Sequence, residues 1–324
     1  MITSTQPGMT LPRTPSLQEL DDYLALPTAL NNIIFEYIGN PFITTWHAYD
    51  SKIRIPIPYS PKYDFIVEWG DGNGTRYNHP KIEHLYSKPG IYTIYIYGLT
   101  CIRFSDFKWN EHVNNCDKIL DISQWGGLKL SSGHRAFAGC SNLNIRAIDA
   151  PDLRSATNLS QMFLECHSLN CDMHWDTSTI TNMNNMFGGC ISFNGDISKW
   201  DVKNVTNTEN MFNNCSEFKC NLSNWNVGKV TRMRGMFRGC DKFNCDLPWD
   251  THNALYLDNM FRDCKSFNGD ISKWDVSAAL KISYMFRGCS SFNCNLNNWK
   301  ISRTCERTTV FHDCPIHWDL RPQM

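Results

Sequence analysis

Cysteine keeps a beat along most of this chain: Cys116, Cys140, Cys166, Cys190, Cys215, Cys240, Cys264, Cys289 and Cys314 follow one another at intervals of 24 to 26 residues. A period that constant marks a repeat architecture, in which each unit buries its apolar face only against its neighbours. Stacked units give a long regular surface and no natural pocket, which points to binding rather than catalysis.

The columns of the repeat carry the expected core. Three residues before the cysteine stand Phe137, Phe163, Phe187, Phe212, Phe237, Phe261, Phe286 and Phe311; three after it stand Leu143, Leu169, Phe193, Phe218, Phe243, Phe267 and Phe292. Both columns are expected to point inward. Further on, Ile197 and Trp200, Leu222 and Trp225, and their equivalents alternate in the manner of a strand. Thr157, Thr181, Thr206 and Thr231 precede segments such as NMNNMF and are placed to cap one or two helical turns on the opposite side of the unit. At a strand spacing of about 4.8 Å the units would stack into a rod roughly 40 Å long.

Upstream the pattern changes. Residues 1–25 are rich in Ser, Thr and Pro and read as a flexible tail. Leu26, Leu30, Ile33, Ile34, Tyr37 and Ile38 share one helical face, giving an amphipathic helix over 26–39. From 40 to 100 the period is two, in IRIPIP, DFIVEW and IYTIYIYG, with turn signals at Asp71-Gly72-Asn73-Gly74 and Lys88-Pro89-Gly90. That is a small antiparallel sandwich. Residues 101–130, with Asp121-Ile122-Ser123-Gln124-Trp125 echoing the repeat, form an irregular N-terminal cap, and 131–324 is the array, ending in a truncated C-terminal cap.

Total charge excludes little, at a formal net charge of -1 with 19% charged residues. Nothing in it calls for nucleic acid or an anionic membrane. Locally, Lys and Arg number 5 against 9 Asp and Glu over 140–228, and 13 against 8 over 229–307. No signal-peptide pattern and no 18-residue apolar run is visible, so an intracellular, cytoplasmic protein without membrane insertion is expected. The 15 cysteines are odd in number and mostly at one phase of the repeat, and are expected to be reduced thiols.

Candidate chemistry is sparse. Asp71 with its glycines reads as a hairpin turn rather than an ion site. Cys171, Cys220, Cys245 and Cys294 lie five after a repeat cysteine but alternate with Gly195 and Gly269, which suits small residues in a tight bend better than zinc. His312-x-Cys314-x2-His317 is the best metal candidate and still a poor one, since it sits in a frayed cap, so no metal site is expected. The Asp after each tryptophan, as at Asp176, Asp201, Asp250, Asp275 and Asp319, is expected to cap a turn. No catalytic constellation and no cofactor motif stands out. Arg238, Arg262 and Arg287, extended by His312, fall in one column: either a solvated face relieved by Asp263, or a docking stripe for an acidic or phosphorylated protein segment.

The repeats, typified by MFGGCISFNGDISKWDVKNVTNTENMF, resemble those of BspA-like leucine-rich-repeat proteins. The segment with Val67-Glu68-Trp69-Gly70-Asp71-Gly72 and Tyr86-Ser87-Lys88-Pro89-Gly90-Ile91-Tyr92-Thr93 resembles a PKD-type domain. LPTALNNIIFEYI is similar to the opening of an F-box. These resemblances imply a mainly β fold with short helices: an immunoglobulin-like sandwich followed by a leucine-rich-repeat-like solenoid of about 25-residue repeats. Three functions stay open on these grounds. The first is a non-enzymatic protein-recognition module; the second is a substrate adaptor of a cullin-type ubiquitin ligase. In the adaptor reading, Leu26, Pro27, Leu30, Ile34 and Phe35 dock the ligase linker subunit. The third is a surface adhesin or exposed structural component.

Overall fold

Alternating burial along Phe42–Ala48 makes it a strand (β1) whose inward residues Phe42, Trp46 and Ala48 are closed to solvent. The computed structural model describes residues 40–57, 64–79, 81–99, 102–104 and 115–323. After β1 come β2 (Lys52–Ile55), β3 (Phe65–Glu68), β4 (Gly74–Tyr77), β5 (Ile82–Leu85), β6 (Gly90–Tyr97), β7 (Ile119–Gln124) and β8 (Asn144–Ile145). Six strands form one sheet in the order β4-β3-β6-β1-β7-β8, and β2 and β5 pair separately. The fold is mainly β. Among the described residues the helical content is a 3-10 helix at Trp318–Leu320 and an isolated 3-10 residue at Phe104, with no α-helix.

The Asp71–Gly74 turn is a hairpin in which Trp69 N–H donates to the Asn73 carbonyl at 3.0 Å. Asp71 accepts from the Asn73 amide at 3.1 Å and meets His84 Nε2 at 2.7 Å, so its carboxylate is engaged within the turn. Gly70, at φ +77, has no room for a side chain because a Cβ would collide with the Thr93 carbonyl.

β1 pairs antiparallel with both β6 and β7, and β7 pairs in parallel with β8, so one sheet runs from the first strands into the repeats. Rings follow the same path: Trp46 on Phe104 at 5.7 Å, Phe104 on Phe137 at 5.8 Å, Phe137 on Phe163 at 5.7 Å. The expected cap and the expected sandwich thus share a sheet and a core.

Within the repeats, single parallel bridges link Asn158 to Asn182, Asn182 to Asn207, Asn207 to Arg232, Arg232 to Tyr256, Tyr256 to Lys281 and Lys281 to Glu306. These lie on the side where short helices were expected. The helix expectation is corrected, and the reason is in the backbone. Amides of Met183, Asn185, Phe187 and Gly189 donate to carbonyls of Asn207, Glu209, Met211 and Asn213 in the next unit, at 2.7–2.9 Å. Amides of the alternate residues Met186, Gly188 and Cys190 donate three residues back, at 2.9–3.2 Å. A helix would direct every amide along its own axis; here every second one is lent to the neighbour. Two positions per unit take positive φ to allow it, five residues and one residue before the cysteine, as at Asn185 (+52) and Gly189 (+75). The half expected to be a strand, from Phe193 to Trp200, is irregular instead and is pinned by Asx turns such as Ser198 N–H to Asp196 at 2.9 Å.

The inward columns are as expected. Phe187, Phe212, Phe237, Phe261, Phe286 and Phe311 stack at 5.6–5.7 Å, and the Arg321 guanidinium lies 5.2 Å from the last ring. From Cys166 to Cys289 each repeat thiol donates to the preceding phenylalanine carbonyl, Cys240 to Phe212 at 3.0 Å and Cys264 to Phe237 at 2.7 Å. Trp225, Trp249 and Trp274 indoles donate to Ile197, Leu222 and Leu247 carbonyls at 3.2, 2.9 and 2.7 Å. All cysteines among the described residues are free thiols.

Candidate functional site: a basic face beside the turns

The bridged side of the repeats carries three columns, eight, six and two residues before each cysteine, the middle one partly buried. In the earlier units these hold uncharged side chains, Asn158, Ser160 and Leu164, then Asn182, Asn184 and Gly188, until Glu209 in the unit of Cys215. From residue 231 onward they turn basic, with Arg232, Arg234, Arg238, Arg262, Lys281 and Arg287. Backbone bonds hold the column in line: Gly239 N–H donates to the Arg262 carbonyl at 2.8 Å, Asp263 N–H to Arg287 at 2.7 Å, and Gly288 N–H to His312 at 2.9 Å.

Most of these cations are internally matched. Arg234 meets the buried Asp258 at 3.2 Å and Glu209 at 3.7 Å. Arg232 lies over the Tyr256 ring at 5.8 Å, and Lys281 pairs with Glu306 at 3.1 Å. Arg262 pairs with Asp263 at 3.2 Å, and His312 Nδ1 sits 2.7 Å from Asp313. Arg238 and Arg287 have no ion pair and no side-chain hydrogen bond among the described residues.

The reason lies one residue along. The left-handed position just before the cysteine reads Gly139, Glu165, Gly189, Asn214, Gly239, Asp263, Gly288, Asp313, so glycine alternates with a longer polar residue. A Cβ on Gly239 would come within 2.5 Å of Asn214 Oδ1, and one on Gly288 within 2.6 Å of Asp263 Oδ1. Each side chain covers the glycine of the next unit. Arg238 and Arg287 are therefore followed by glycine, where Arg262 is followed by its aspartate. This alternation was written in the sequence, but only the stacking shows what it excludes; Arg232 and Arg234 were likewise visible and not singled out.

The expectation of a surface without pockets fails at one place. The unit after Cys240 is one residue short before Trp249, and beside it lies a concavity of about 540 Å³ of mixed lining, with Lys219, Asn221, Asp246 and Asp270 beside Leu247 and Ile271. The half-buried Cys245 thiol lines it and contacts Asn221 Oδ1 at 3.2 Å. Burial raises the Cys245 thiol above its ordinary value, so it is a poor nucleophile.

The metal candidate disperses. His312 faces Asp313, His317 Nδ1 faces Asp319 at 3.1 Å, and Cys314 donates to the Phe292 carbonyl at 3.8 Å. Among the described residues no three His, Cys, Asp or Glu side chains converge as a metal site. No helix among them is long and apolar enough to cross a membrane. Leu26, Pro27, Leu30, Ile34 and Phe35 lie outside the described residues.

No curated protein and no solved structure matches this chain. One family model matches it twice, over residues 131–248 and 217–318. That match brings no leucine-rich-repeat or PKD relationship with it, so the resemblances to BspA-like leucine-rich-repeat proteins and to PKD domains are corrected. The F-box resemblance falls with them, since the matched family is a different one. With more than half its length matched, the chain belongs to the DUF285 family, described as a Mycoplasma protein of unknown function.

Proposed function

We propose that residues 131–313 form a solenoid that acts as a non-enzymatic protein-recognition module, docking an acidic segment of a partner protein on the face that carries Arg238 and Arg287. One observation carries this reading: two guanidinium groups stand unmatched on a face where the surrounding cations are paired. Unmatched charge on a rigid repeat surface steers an oppositely charged partner and fixes its register. The free thiols suit a reducing, intracellular setting.

The test is a pair of substitutions, Arg238→Glu with Arg287→Glu, in the full chain. Binding of a fluorescent poly-glutamate peptide, and of partners recovered with the wild-type chain, should weaken more than tenfold and lose most of its salt dependence. The melting temperature should change by no more than a few degrees, because both arginines, though half-buried, have no ion pair that the substitution would break. Equal binding by both proteins would remove the basic face from the proposal.

A further inference from the structure

We infer that the occupant of this face is an α-helix lying along the axis of the repeats, with acidic residues seven apart that meet Arg238 and Arg287. The inference rests on the docking reading above and adds the partner's shape.

The argument begins with the alternation of glycine and polar residues before the cysteine. Because Asn214 and Asp263 occupy the space where a Cβ of Gly239 or Gly288 would lie, neither Arg238 nor Arg287 can be given the adjacent carboxylate that Arg262 has. The free guanidiniums consequently recur every second unit, with a neutralised arginine between them. Two steps of about 4.8 Å put them roughly 10 Å apart.

That spacing argues against an extended β-strand as the partner. In an extended strand, side chains on one face recur at about 6.8 Å and again at about 13.6 Å, and neither matches. In an α-helix, residues seven apart are separated by about 10.5 Å and return to nearly the same face. A helix with acids at i and i+7 reaches both arginines, and the residue between them need not be acidic, since Arg262 already has Asp263 at 3.2 Å. The flanking columns place no further demand on it, because Arg234 is held by Asp258 and Glu209 and Arg232 is stacked on Tyr256.

Three alanine-rich helical peptides of equal length and net charge test this against the full chain, with two glutamates at i and i+7, at i and i+4, or at i and i+11. Fluorescence anisotropy should show the i, i+7 peptide binding roughly fivefold tighter than the other two. That advantage should vanish in Arg238→Ala and in Arg287→Ala and survive in Arg262→Ala. Equal binding of the three peptides would overturn the helix while leaving the basic face in place, provided binding still depends on Arg238 and Arg287. Preference for an extended phosphorylated peptide over all three would overturn it in the same way. Loss of any arginine dependence would bring down the docking reading itself.

Discussion

At the scale of single residues, the repeat is held by groups that serve two units at once. The Phe237 ring stacks on Phe212 and Phe261 at 5.6 Å, packs on Phe243 at 4.2 Å, and its carbonyl accepts from Cys264. Phe237→Ala should therefore cost about 3–5 kcal/mol in urea unfolding, at the upper end for a core aromatic. Gly195 and Gly269 are different in kind. Each follows a unit shortened by one residue, and a Cβ on either would overlap the carbonyl oxygen of Cys171 or Cys245. A backbone carbonyl cannot swing aside as a side chain can, so Gly195→Ala should lower the melting temperature substantially, whereas Cys220→Ala in the same column should be mild. Similar losses from both would show that the close approach is not what selects glycine. The inward columns were legible from spacing alone; the need for glycine was not, because it depends on what the neighbouring unit does.

At the scale of the element, the repeat shows why local signals misled. Threonine followed by NMNNMF has the composition of a capped helical turn, and nothing local forbids it. The decision is made by the next unit, whose carbonyls take every second amide, so tertiary pairing overrides local preference. The Asp after tryptophan, in contrast, was legible, since an Asx turn is a local bond: Asp201 accepts from Lys203 N–H at 3.1 Å and Asp275 from Ser277 N–H at 2.9 Å. These bonds set a pH limit. Ser178 holds Asp176 below the ordinary carboxylate range, as do Lys203 for Asp201, His252 for Asp250 and Ser277 for Asp275. A carboxylate depressed on folding contributes in full above its unfolded value of about 3.9, and its contribution is lost as pH falls through the folded value. Melting temperature should be level from about pH 5 to 7 and fall below about pH 4. Asp275→Asn, which keeps an acceptor for the turn, should shift that fall to lower pH.

At the scale of the whole molecule, β1 ties the first strands to the repeats through β7, a connection that period and composition could not reveal because strand partners 73 to 81 residues apart leave no local trace. The basic half of the array was legible as a column; which of its arginines are unmatched was not, since that depends on side chains one unit away. The alternation that leaves Arg238 and Arg287 unmatched also imposes a rule of parity on the length of the array. Removing two units, residues 216–264, brings Asn214 against Gly288 and preserves the alternation. Removing one, residues 216–240, sets Asn214 against Asp263, side chain upon side chain where there is room for one. The longer deletion is expected to melt nearer the parent than the shorter, a reversal of what lost contacts alone would give. A lineage that gains or loses such units without penalty would then do so in pairs.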